Sequence, residues 1–78
     1  MDERFMRMAL EEAQRAYDLD EVPVGAVLVK GGKVLSRSHN LCEAASDPTA
    51  HAEMLAIKEA IRKTGGLLIG STLYVTLE

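Results

Sequence analysis

The sequence holds one cysteine, Cys42, so no disulfide can close within it. Long apolar runs are missing: no stretch approaches the ~20 residues of a membrane-spanning helix. No charged start leads into the apolar run of a signal peptide. An excess of positive charge is missing too. Nine Lys and Arg stand against twelve Asp and Glu, a net charge of −3, so nothing global advertises nucleic-acid binding, although a local basic patch stays compatible with it. Neither an internal repeat nor a low-complexity tract is present. These absences lead us to expect a soluble protein of a reducing, cytoplasmic compartment, with no membrane association.

What is present is a chain of 78 residues with 47% hydrophobic content, suited to one globular domain and too apolar for disorder. Domains this short bury a modest core and usually lean on a metal, disulfides or a partner. Over residues 3–19, Met6, Leu10, Ala13 and Tyr17 recur at steps of four, three and four, which predicts an amphipathic helix with Asp2 as its N-cap. VPVGAVLVK (22–30) is β-branched and nearly continuously apolar, as a strand covered on both faces would be. Gly31-Gly32 fits a two-residue hairpin turn, and KVLSRSH is the returning strand. A loop follows over 40–46. Asp47 as cap and Pro48 in the first turn open a second helix that runs to about Lys63, with Gly65-Gly66 as its stop. STLYVTLE (71–78) reads as a third strand. The order α-β-β-α-β suits a layered sheet with helices on its faces. Nothing follows the last strand to cover it, which predicts that these residues are part of a domain.

The chemistry concentrates in DPTAHAE (47–53). At 100° per residue, Met54, Ile57, Ala60 and Ile61 gather on one side of the second helix, and Glu53 falls among them. A carboxylate there is either desolvated, and so in need of a partner, or it escapes to solvent and favours the helix dipole. Position alone leaves both readings open. His51 lies about 200° from Glu53 by the same arithmetic, so the two are no same-face pair. His39-x-x-Cys42 also has a spacing that metal ligands use, although a loop cysteine is more often a free thiol.

His51-Ala52-Glu53 supplies the H-x-E half of the signature of the zinc nucleobase deaminases. The surrounding text, from MALEEAQRAY (8–17) through EVPVGAVLV (21–29), Asn40 and TLYVTLE (72–78), resembles the bacterial tRNA adenosine deaminases in order and spacing. The resemblance implies a cytidine deaminase-like three-layer α/β/α fold, here its α-β-β-α-β portion. The 78 residues would form the N-terminal part of a single deaminase domain, ending just before a Pro-Cys-x-x-Cys segment.

That resemblance also implies the site. His51 would be a ligand of Zn2+, two cysteines beyond residue 78 would complete the set, Glu53 would be the catalytic proton shuttle, and Asn40 would hydrogen-bond the flipped base. The reaction implied is hydrolytic deamination of adenosine to inosine at the wobble position of a tRNA anticodon stem-loop, by a homodimer. By itself the 78-residue chain is expected neither to hold zinc tightly nor to deaminate. Arg4 and Arg7 could touch RNA, but a solvated helix face accounts for them equally. Two rival readings stand: a deaminase of a free base such as guanine or cytosine, and a non-catalytic, self-associating fragment.

Overall fold

The structure, a computed structural model, describes residues 2–42, 46 and 50–76. Asp2 opens the first helix as expected, its carboxylate accepting the Arg4 N–H at 2.9 Å. That helix is α1 (Glu3–Asp18), followed by β1 (Gly25–Lys30), β2 (Lys33–His39), α2 (Ala52–Thr64) and β3 (Ser71–Val75). The predicted order α-β-β-α-β holds.

Gly31 and Gly32 both adopt positive φ, at 59° and 77°, which is what lets the chain reverse in two residues between β1 and β2. The three strands form one antiparallel sheet in the order β2-β1-β3. β1 is therefore central, which explains its unbroken apolar text. Val27 and Val29 pack with Phe5 and Ala9 of α1, whereas Ala26 packs with Ala52 and Ala56 of α2. Because neighbouring side chains of a strand point to opposite faces, the helices cover opposite sides of the sheet. The result is the three-layer α/β/α arrangement.

Four details differ from the sequence reading. The buried stripe of α1 is Phe5, Ala9, Glu12, Ala13 and Ala16, while Leu10 and Tyr17 are 57% and 65% exposed. Gly25 gives the reason: a Cβ there would strike the carbonyl oxygen of Ala9 and lie 2.6 Å from the Ala13 nitrogen. At that point the α1 backbone rests directly on β1, and the small side chains of Ala9 and Ala13 are what fits beside it. α2 also turns alanines inward: its buried residues are Ala52, Ala56 and Ala60, with Met54 44% and Ile61 45% exposed. Second, α2 begins at Ala52 with His51 as N-cap, several residues later than expected; the predicted starters Asp47 and Pro48 lie outside the described residues. Third, β1 begins at Gly25 and not at Val22. Fourth, β3 ends at Val75, and Leu77 and Glu78 lie outside the described residues. The predicted stop of α2 is present, with Gly65 in the left-handed conformation at φ 70° and its N–H bonded to Ile61 O at 2.8 Å.

Candidate active site

Three chain segments meet where β1 begins and β2 and β3 end. Asn40 follows β2, and its N–H donates to Val24 O at 3.1 Å, tying the end of β2 to the segment entering β1. Gly25 is bridged to Thr76 twice: the Thr76 N–H donates to Gly25 O at 3.0 Å, and the Gly25 N–H donates to Thr76 Oγ1 at 2.9 Å. α2 starts beside them, because the Leu41 N–H reaches Ala50 O at 2.9 Å and the Ala52 N–H reaches Asn40 Oδ1 at 2.7 Å. Between these segments lies a cleft of about 450 Å3, walled by Val22, Val24, Asn40, His51, Glu53, Val75 and Thr76.

Asn40, His51 and Glu53, the site residues that the resemblance implies, thus border one cleft. Asn40 is buried, Glu53 half-buried and His51 exposed. His51 and Glu53 face the same space despite the 200° that helical arithmetic placed between them, since His51 is an N-cap in extended conformation, φ −79° and ψ 148°, and does not follow the helical rotation. Glu53 occupies the first turn of α2, so its carboxylate sits at the positive end of the helix dipole. Neither simple reading of Glu53 holds: it is neither fully desolvated nor free in solvent, but lies on the wall of a cleft. The cleft pairs apolar walls from three valines with a few polar groups at one end, the usual make-up of a small-molecule site.

A larger cavity, about 640 Å3, runs along the outer edge of β2 between α1 and α2. Glu12, which the sequence analysis did not single out, lines it and is 2% exposed. Glu12 Oε1 accepts from His39 Nδ1 at 2.8 Å, and Oε2 accepts from Arg37 Nε at 2.8 Å with Arg15 Nη1 at 3.5 Å. The signal for it was available: Arg37 and His39 lie two apart on a strand and so share a face. This cavity is lined by charges that already pair with each other, and of the residues singled out for chemistry it contains only His39. Engaged with Glu12, His39 is not part of the cleft. The His39-x-x-Cys42 pairing suggested by spacing does not form a metal site, because among the described residues no three His, Cys, Asp or Glu side chains are grouped to hold an ion. Cys42 instead has its Sγ 3.9 Å from His51 Nδ1. Arg4 is held by Asp2 at 2.8 Å and lies over the Phe5 ring, which accounts for it without RNA.

The whole chain, residues 1–78, matches the family model described as the cytidine and deoxycytidylate deaminase zinc-binding region. The chain belongs to this deaminase family. It is 57% identical over 77 residues to the tRNA-specific adenosine deaminase of Aquifex aeolicus, covering 97% of this chain and 51% of that protein. Among solved structures it resembles, with a TM-score of 0.93 and 49% identity, a chain from a study of A-to-I editing by tRNA:A34 deaminases at the wobble position of transfer RNA. That match covers 99% of this chain and 56% of the other. Guanine deaminase from Bacillus subtilis matches with a TM-score of 0.90 at 33% identity, over 100% of this chain and 52% of that one. The chain spans about half the length of these relatives.

A catalytic zinc site takes three protein ligands and a water. The described residues of this deaminase chain present the His51 imidazole at the cleft and do not complete a set. As a donor His51 fits one position of such a site, since its side chain makes no cap hydrogen bond to the helix it precedes.

Proposed function

We infer that this chain is the N-terminal part of a single deaminase domain that hydrolyses adenosine to inosine at the wobble position of a tRNA anticodon. The observation that carries the reading is the gathering of Asn40, His51 and Glu53 around one cleft in a chain of the deaminase family. The likeness to tRNA-specific adenosine deaminase in Aquifex aeolicus supports tRNA as the substrate. In this reading His51 is the nitrogen ligand of a zinc ion whose two cysteine ligands lie beyond residue 78. When bound, zinc supplies a water acidified toward neutral pH.

The rest falls to this chain's residues. Val24 and Val75 give the cleft apolar walls against which a base plane can lie, and Asn40 meets its polar edge. The Glu53 carboxylate takes a proton from the attacking water and returns it to a ring nitrogen; it then takes the second proton from the hydroxyl now on the carbon and delivers it to the amine, which leaves as ammonia as the carbonyl forms. The protein is cytoplasmic and acts as a homodimer in this reading.

The test uses the protein expressed from its full reading frame, with an anticodon stem-loop bearing adenine at the wobble position, free guanine and free cytosine as substrates. Deamination of the stem-loop alone is expected, with one zinc per chain. Turnover of guanine alone would replace the reading by that of a free-base deaminase, which the 33% identical guanine deaminase structure supports. Glu53→Gln should lower kcat by roughly 10²-fold or more while zinc content stays unchanged; a variant within a few-fold of wild type would remove Glu53 from the chemistry.

A further inference from the structure

Among the described residues, no lysine or arginine lines the cleft. RNA owes much of its affinity for a protein to phosphates, which cations meet. In this chain cations gather at the opposite end of the sheet. β1 ends there at Lys30, the chain reverses through Gly31 and Gly32, and β2 starts at Lys33, directly opposite Lys30 in the register. Like charges set opposite on a strand pair repel, so this pairing does nothing for the hairpin. α2 ends at the same place: Lys63 Nζ donates to Leu35 O at 2.9 Å, and Lys30 Nζ donates to Leu67 O at 3.0 Å, just past the helix. Arg62 and Lys63 have a local reason to be there, the negative end of the α2 dipole and Glu59, which accepts from Arg62 Nε at 2.9 Å and lies 3.8 Å from Lys63. Lys30 and Lys33 have none, since no carboxylate among the described residues forms an ion pair with either.

We propose that this hairpin end, with Lys30, Lys33 and Lys63 as its cations, is a second contact surface for the RNA substrate, taking phosphates of the stem while the cleft takes the base. The length of β1, six residues, puts it roughly 17 Å from the cleft, beyond the reach of a single flipped nucleotide but not of the stem behind it. The ammonium groups of Lys30 and Lys63 are already held by backbone carbonyls. Each carbonyl takes one of three donors and leaves two for a phosphate, so little side-chain freedom remains to be lost on binding. A phosphate at the turn would also relieve the repulsion between Lys30 and Lys33. The inference rests on the tRNA reading for its ligand and on the like-charged hairpin for its place.

The protein expressed from its full reading frame is tested on two RNAs, the anticodon stem-loop and the same loop as a short single strand without its stem. The triple variant Lys30→Gln, Lys33→Gln, Lys63→Gln removes the charges and keeps donors for Leu67 O and Leu35 O. On the stem-loop its KM should rise roughly tenfold or more with kcat within about twofold of wild type, and the slope of log affinity against log salt should lessen by about 2 to 3. On the stemless strand KM should change by less than about threefold. Lys33→Glu alone covers the case in which the triple variant folds poorly. It turns the repulsion with Lys30 into attraction, so Tm should hold or rise while KM on the stem-loop rises roughly fivefold. Wild-type KM on the stem-loop in either variant would overturn the proposal, and so would an equal loss on both RNAs. If the wild-type protein deaminates no RNA, the tRNA reading fails on its own, and stem-loop binding by fluorescence anisotropy with the same variants still decides whether this surface holds RNA.

Discussion

Glu12 shows what a single side chain can carry in a sheet this small. Burial pushes its carboxyl pKa up, but the hydrogen bonds from His39 and Arg37 and the charges of Arg15 and Arg37 outweigh burial, and the net direction is down from the ordinary 4.5. A folded-state value below the unfolded one stabilises the fold above the unfolded value, and that stability is lost as pH falls through the folded value. Glu12→Gln should therefore weaken the protein by about 1–3 kcal/mol at pH 7 and flatten the loss of stability below about pH 4.5. Urea unfolding across pH checks this, and an acid limb as steep as wild type would show that Glu12 does not set it. At the residue scale a short motif and its neighbours pointed to His51, Glu53 and Asn40, and the structure places all three along one cleft. The motif reading did not single out Glu12, because a carboxylate next to Glu11 on a charged helix looks solvated until the strand bearing Arg37 and His39 is laid across it.

Helix α1 crosses β1 at close quarters over Gly25, where an added Cβ would meet the Ala9 carbonyl and the Ala13 nitrogen. Both obstacles are backbone atoms, so no side chain can yield. Gly25→Ala should cost about 3 kcal/mol or more, at the upper end for overpacking, by lifting α1 from the sheet; a thermal melt within a degree or two of wild type would contradict that packing. Element positions were largely legible in the text: the Gly31-Gly32 reversal, the Gly65 stop and the extent of β2 follow from local chemistry. The start of α2 was not, because its capping oxygen comes from Asn40, across a loop, while local reading chose the nearest good cap. Nor were the buried faces of the helices, since a periodicity argument weights Leu, Met and Ile, whereas these helices press alanines inward and leave Leu10, Met54 and Ile61 outside.

At the scale of the whole molecule, the apolar residues set outside have a cost. Ile69 is 91% exposed, and Leu67, Leu73 and Ile61 are among the other exposed large side chains, while among the described residues β3 pairs only with β1. An open strand edge flanked by apolar surface is a template for association. The 78-residue chain on its own should therefore sediment as concentration-dependent assemblies; a monomer with a sharp cooperative melt would show that it is self-sufficient. The alanines that line the other side of this arrangement have a consequence for motion. A methyl group has no rotamers to exchange, so the seam of Ala26, Ala52 and Ala56 cannot widen by side chains hopping between wells. That seam can open only if the helix shifts on the sheet as a body, whereas the cleft at the head of α2 is walled by longer side chains, Val22, Val24, His51, Glu53 and Val75, that can turn to suit a ligand.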